Sequence, residues 1–164
     1  MQAAYKYLDS IIGVEQYMIN IDNGDIVLEN LQYILSHKTQ IIDFENNYPK
    51  EFIRNISKLE NGYTWFYIWG RIVKSDSVIL ISLCFDPKDE IQSVNIYPHV
   101  NFTTKLEWSD WTEKNLIMEK MICDKWLSEN FNLDETNKYN WGSINSLSDV
   151  RSGNSFIMLK YTSV

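Results

Sequence analysis

An abrupt change of hydrophobic period at Tyr63 constrains the fold more than any other feature of the sequence. Residues 63–73, YTWFYIWGRIV, alternate in the two-residue repeat of a strand and are rich in residues that favour β structure. The apolar run SVILISLCF, residues 77–85, follows a short polar turn and predicts a central strand. IQSVNIYPH, residues 91–99, predicts a third strand that ends at Pro98. Because short linkers join the three segments, they predict an antiparallel meander.

The segments on either side of the meander carry helical patterns. In residues 1–60, apolar side chains recur at helical spacing after the turn near Gly24 and again after Pro49, which predicts N-terminal helices. Residues 109–131 show the clearest pattern, and Asp110 precedes an acid three residues later, as in a capping box. The side of this long helix that we expect to lie on the sheet carries Trp111, Ile117, Met118, Met121, Ile122 and Trp126.

The C-terminal stretch predicts a β-hairpin, with strands near residues 139–144 and 155–161. In the loop between them, we expect the Asp149 side chain to accept hydrogen bonds from backbone amides. We also expect Gly153 to take a positive φ. The predicted fold class is therefore α+β. A three-strand meander and a C-terminal hairpin would form an antiparallel sheet, packed by a long helix and by N-terminal helices, in one domain over residues 1–164.

Charge and composition narrow the class of partner. The chain has 22 acidic and 15 basic residues, and residues 107–135 alone hold eight acids against three lysines. Nucleic acid is not expected as a ligand, because no cluster of Lys and Arg is present to contact phosphates. The sequence lacks a long apolar stretch, so we expect a cytoplasmic protein without a membrane segment. Cys84 and Cys123 lie in apolar segments and are expected to be buried, reduced thiols.

The sequence carries no recognisable catalytic or metal-binding motif. His37 and His99 are the only histidines, and we expect His99 to be exposed at a strand end. The acids of residues 86–90 and of residues 22–25 fall in predicted turns rather than in the spacing of magnesium or calcium ligands. We therefore expect no metal, no cofactor and no catalytic residue, although an enzyme of another class stays an alternative.

The segment WGSINSLSDVRSGNSFIMLKY, residues 141–161, resembles small proteins of Gram-positive bacteria, some of which look like immunity proteins of polymorphic toxin systems. The resemblance rests on the Trp-Gly strand, the Asp-x-Arg-Ser-Gly loop and the closing strand. It implies a cytosolic antidote that blocks a toxin domain. It assigns no functional residue.

The leading hypothesis is a non-catalytic protein-binding protein, of the immunity type, that neutralises a basic toxin domain through an acidic surface. The side chains expected to bind this partner are Glu107, Asp110, Glu113, Asp124, Asp134, Glu135, Asp149 and Arg151.

The alternative hypothesis is a small-molecule or carbohydrate-binding module. Alternation in the first strand places its largest aromatic side chains on one side, where they form a binding surface if they reach solvent and core if a helix covers them. The side chains expected to line this site are Trp65, Tyr67, Trp69 and Arg71, with Tyr63 in the same row.

Overall fold

The residues that the structure describes lie mainly in β-strands. The structure, a computed structural model, describes residues 19–28, 33–72, 78–101, 112–130 and 137–162. The strands are β1 Ile26–Leu28, β2 Tyr33–Leu35, β3 Ile53–Lys58, β4 Thr64–Gly70, β5 Ile79–Phe85, β6 Ile91–Asn101, β7 Lys138–Tyr139, β8 Gly142–Asp149 and β9 Asn154–Tyr161. The helices are α1 Ile41–Asn47 and α2 Glu113–Asn130, with a 3₁₀ turn at Lys50–Phe52.

Seven strands form one antiparallel sheet in the order β3-β4-β5-β6-β9-β8-β7, and β1 and β2 form a separate antiparallel hairpin. The meander β4-β5-β6 and the hairpin β8-β9 were both predicted, and the structure confirms them. Strand β9 pairs with β6, so the C-terminal hairpin continues the sheet of the meander.

The predicted fold class, α+β with N-terminal helices, is wrong. Where those helices were expected, the chain forms the β1–β2 hairpin and strand β3. The helical spacing of the apolar residues after Pro49 was misleading, because Ile53 and Ile56 pair with Ile68 and Phe66 of β4. β-branched residues pack well on such a pleated surface, and pairing with a long neighbouring strand outweighs a short helical pattern.

The predicted end of the third strand at Pro98 is also wrong, because β6 continues to Asn101. Its register with β5 jumps from the Leu80–Tyr97 pair to the Ile79–Asn101 pair. The extra residues bulge out of the ladder, which accommodates a proline that cannot donate a hydrogen bond.

Strand alternation gives the large sheet two different faces. On one face the side chains of β4 and β5 are fully buried, as Phe66, Ile68, Ile81 and Leu83 show. We call this side the covered face. The opposite face carries the half-buried Trp and Tyr row of β4, and we call it the aromatic face.

Helix α1 packs on the covered face through Phe44, which is completely buried. The Phe44 ring lies 5.1 Å from the ring of Phe66, 6.2 Å from that of Phe85 and 4.8 Å from that of Tyr48. Edge-to-face and offset arrangements of this kind add to the stabilisation that burial provides. A seven-residue helix is too short to be stable alone, so this aromatic cluster holds it in place.

The segment before β1 is fastened to the end of the chain. The Trp141 Nε1–H donates to the Ile21 carbonyl at 2.6 Å, and the Tyr161 hydroxyl donates to the Gly24 carbonyl at 2.9 Å. Gly24 has a φ of +76°, and a Cβ there would lie 2.5 Å from a Trp141 ring atom. Only glycine therefore fits this turn without displacing the indole.

The two outer strands of the large sheet are irregular or short. Strand β3 has a register shift between Ile53 and Asn55, and it exposes Arg54 and Lys58. At the other edge, β7 contains only two residues.

We predict that Phe44→Ala lowers the free energy of unfolding by about 3–5 kcal/mol, because it empties the centre of the aromatic cluster. Ile42→Ala on the exposed side of α1 is the matched control and should cost less than about 1 kcal/mol. Urea unfolding followed by circular dichroism measures both. Equal losses would mean that α1 does not pack as described.

Candidate functional site

Helix α2 turns the opposite way from the predicted one. Leu116, Cys123 and Leu127 are buried against the covered face. Four residues expected to lie on the sheet are instead 43 to 64% exposed, namely Ile117, Met118, Met121 and Ile122. Trp126 is partly buried beside the core, and Trp111 lies outside the described residues. The helix is apolar on two opposite sides, so the sequence pattern could not determine which side faces the sheet.

Polar contacts fix this orientation. Ser155, which is fully buried on β9, donates from its hydroxyl to the Leu116 carbonyl at 3.0 Å and from its backbone N–H to Glu119 Oε2 at 3.1 Å. The helix begins beside Thr112, whose hydroxyl oxygen accepts from the Asn115 N–H at 3.0 Å. Asp110, predicted to cap the helix, lies outside the described residues.

A groove of about 480 Å³ runs between the first turns of α2 and the turn that follows β8. Its lining is mostly apolar, with Glu113 and Lys120 among the residues that line it. The apolar side chains are Leu116, Ile117, Met121 and Val150. Val150 is 68% exposed, so the exposed apolar side of α2 continues onto the hairpin. We call this surface, formed by Ile117, Met118, Met121, Ile122 and Val150, the α2 surface.

The acids predicted to bind a partner are less available on α2 than the sequence suggested. Asp124 forms an ion pair with Lys120 at 2.5 Å. Burial raises the pKa of Asp124, but hydrogen bonds from Lys120 and Ser146 and the charge of Lys120 together lower it. Glu129, one helical turn from Lys125, pairs with it at 3.7 Å. Of the predicted residues, Glu113 lines the groove. Four others lie outside the described residues: Glu107, Asp110, Asp134 and Glu135.

The turn between β8 and β9 has the predicted chemistry. Asp149 Oδ1 accepts from the Arg151 N–H at 3.0 Å, and the Asp149 carbonyl accepts from the Gly153 N–H at 2.9 Å. Gly153 has a φ of +69°. The structure confirms the turn, in which Val150 and Arg151 are exposed at the end of the hairpin, adjacent to the groove.

The aromatic row of β4 is neither fully exposed nor part of the main core. Trp65, Tyr67 and Trp69 are half-buried on the aromatic face, and Arg71 follows them just beyond the strand. The Arg54 guanidinium lies 5.7 Å from the centre of the Trp69 ring, as in a cation–π contact.

Three neighbouring strands build the centre of the aromatic face. Register places Tyr67 of β4, Ser82 of β5 and Asn95 of β6 in one row across the sheet. Trp65, Cys84 and Ser93 form the row on one side, and Trp69, Leu80 and Tyr97 form the row on the other. All nine side chains are uncharged, and the polar ones at the centre are buried.

Buried polar atoms in this grid lack partners. Within the described ranges, neither Ser82 Oγ nor Asn95 Oδ1 has a hydrogen-bond partner of good geometry. Burial raises the pKa of Tyr97, and weak hydrogen bonds from Ser82 and Asn95 oppose the shift, so the phenol lies near both although neither contact has good hydrogen-bond geometry. An unsatisfied buried polar group costs free energy and calls for an explanation. The polar residues within the apolar strand patterns were the available sequence signal for this spot.

His99 is buried beneath α2, so its predicted exposure is wrong. Its side chain is 8% exposed, and its Nε2 lies 3.6 Å from Glu119 Oε2. Burial lowers the pKa of His99 to about 4, and burial raises the pKa of Glu119. A histidine beside a carboxylate and a serine resembles hydrolytic machinery. The nearby Ser155 hydroxyl, however, is fully buried and donates to a helix carbonyl.

The remaining reactive side chains are placed as the sequence predicts. Cys84 and Cys123 are buried free thiols, and burial raises their pKa values to about 11 and about 12. The acids of the 86–90 segment lie in a turn, where Asp86 Oδ1 accepts from the Lys88 and Glu90 amides at 2.8 and 3.0 Å. Among the described residues, no group of three or more His, Cys, Asp or Glu side chains is arranged to hold a metal ion.

Comparison with known proteins identifies no relative. No family model matches the chain, and no curated protein or solved structure is significantly similar to it. In the part of the chain that the structure describes, no helix has the length and apolar character needed to cross a membrane.

We predict that His99 makes the protein less stable in acid. Because the pKa of His99 is lower in the folded chain than in the unfolded chain, protonation of His99 favours unfolding. The contribution of neutral His99 to stability is therefore complete above pH 6.5 and is lost as the pH falls towards 4. Between pH 7 and pH 4.5 the wild type should lose about 2 kcal/mol more than His99→Gln. Urea unfolding at both pH values measures this difference, and parallel losses in the two proteins would contradict it.

Proposed function

We propose that the chain is a non-catalytic protein-binding protein that docks a different protein on the α2 surface. The observation that carries the proposal is the exposure of four large apolar side chains side by side on α2, next to a groove. Apolar patches of this kind mark interaction sites on soluble proteins. Methionine side chains suit such a surface because they are flexible and polarizable.

The groove supplies the place for an anchor. Interfaces obtain most of their affinity from a few bulky side chains that fill pockets and exclude water. Leu116 forms the buried floor, while Met121 of α2 and Val150 of the hairpin turn form walls. The turn is held by its own hydrogen bonds, so Val150 is presented on a fixed backbone. We expect the partner to insert a large apolar side chain between these walls.

Charges on α2 favour a heterologous partner over a second copy. A lysine stands about one turn beyond each end of the Met118–Met121 pair, on the same side of α2. These residues are Lys114, four residues before Met118, and Lys125, four residues after Met121. Two copies of α2 packed antiparallel would oppose Lys114 to Lys125, and parallel packing would oppose each lysine to itself. Glu129 pairs with Lys125 at 3.7 Å and weakens the repulsion at that end of the helix. A partner with a carboxylate opposite Lys114, beside its apolar anchor, avoids the repulsion that is left.

The immunity-protein hypothesis is a finer version of this proposal. Its basic toxin partner would engage Glu113 and Asp149, together with the predicted acids outside the described residues, since Asp124 is already paired with Lys120. Reversal of charge distinguishes the two kinds of partner. Lys114→Glu with Lys125→Glu should slow association with an acid-flanked partner, whereas Glu113→Lys should slow association with a basic one.

The test uses site-specific photo-crosslinking in the cells from which the chain comes. A crosslinking residue at Met121 should capture one partner reproducibly, and the same residue at Ile42, 59% exposed on α1, should not. The captured protein is then purified and titrated by calorimetry. Met121→Glu should weaken binding by about 30-fold, the loss typical of a hot-spot residue, while Ile42→Glu should leave it unchanged.

Two results would contradict the proposal. In one, Met121→Glu binds the purified partner as tightly as the wild type does. In the other, sedimentation shows that the wild type is a dimer which Met121→Glu converts to a monomer, and the α2 surface is then a contact between copies.

A further inference from the structure

We infer that the aromatic face is a second binding site, separate from the α2 surface, and that it takes a neutral saccharide. The site would have Ser82 and Asn95 as its polar floor and the aromatic side chains of β4 and β6 as its walls. It lies on the side of the sheet opposite to α2, so the two sites do not overlap.

The floor offers hydrogen-bonding groups that the described part of the fold leaves unused. Ser82 is fully buried and Asn95 is 6% exposed, yet Ser82 Oγ and Asn95 Oδ1 have no hydrogen-bond partner of good geometry among the described residues. Neighbouring strands hold them directly opposite one another in the β5–β6 register. A hydroxyl can donate or accept and an amide oxygen accepts, so the pair matches ligand hydroxyl groups.

The walls offer stacking surfaces of the kind that sugars use. Trp65 and Tyr67 of β4 stand beside Ser82. Tyr97 of β6 stands in the next row, two residues from Asn95. All three aromatic side chains are half-buried. Their faces can pack against the apolar face of a pyranose ring, while the phenol hydroxyl groups reach its polar edge. Tyr97 is in the row next to Ser82 and Asn95, so its hydroxyl can share a ligand with both floor residues.

The charge of the grid sets the class of ligand. All nine side chains of the three central strands on this face are neutral. Lys160 of β9, opposite Ser93, and Arg54 of β3, over Trp69, lie at the margin of the grid. An ionised ligand above Ser82 and Asn95 would lose its hydration without gaining an opposite charge from the nine side chains, which is costly. A neutral polyhydroxyl ligand requires only the hydroxyl and amide groups that are present.

The experiment titrates the intact chain with glucose, N-acetylglucosamine and their β-1,4-linked trimers. Saturation-transfer NMR detects binding, and tryptophan fluorescence gives the dissociation constant. We expect at least one of these probes to bind with a dissociation constant below about 10 mM. Ser82→Ala and Trp65→Leu should each weaken that binding by about 10-fold, whereas Ser128→Ala on the exposed side of α2 should not change it.

Thermal unfolding separates a binding role of Ser82 from a structural one. Ser82→Ala removes a buried hydroxyl that has no described partner, so its Tm should equal or exceed that of the wild type. A lower Tm would show that the hydroxyl stabilises the fold, and the inference would fail. It would fail equally if none of the four sugars bound, or if Ser82→Ala and Trp65→Leu left the affinity of a binding sugar unchanged.

Discussion

Burial of one face of the seven-stranded sheet is the interaction on which the rest of the structure depends. Phe66 and Ile68 of β4 and their partners on β5 point to this face and are sealed from water. Helices α1 and α2 both pack there, and hydrogen bonds attach the segment before β1 to the same side. These elements therefore share one core. The removal of its apolar surface from water drives folding.

Packing both helices on the covered face leaves two different surfaces for recognition. The outer side of α2 is apolar and borders a groove, and a hydrogen-bonded turn extends it. The aromatic face is a grid of aromatic side chains with buried polar groups at its centre. The first suits a protein partner and the second a small polar ligand, so the two proposals rest on separate residues and can fail separately.

The sequence predicted the parts of the fold in which local preference and tertiary environment agree. Alternation in β4, the apolar run of β5 and the Asp149–Gly153 turn all formed as expected. Strand β3 was missed because its isoleucines also fit a helical spacing, and only pairing with β4 decides between the two. The rotation of α2 was missed because one side carries Leu116, Cys123 and Leu127 while the other carries equally apolar residues. The unpartnered Ser82 and Asn95 became visible only when register placed them side by side.

The bulged, charged strand β3 and the two-residue strand β7 have a consequence for how the molecule associates with others. At the β3 rim, the register shift and the exposed Arg54 and Lys58 make the addition of a foreign strand unfavourable. At the other rim, β7 pairs only with Gly142 and Ser143, so the rest of β8 has no neighbouring strand on its outer side among the described residues. Recognition by strand addition, or polymerisation through the sheet, is therefore disfavoured at β3 and is confined to the outer edge of β8.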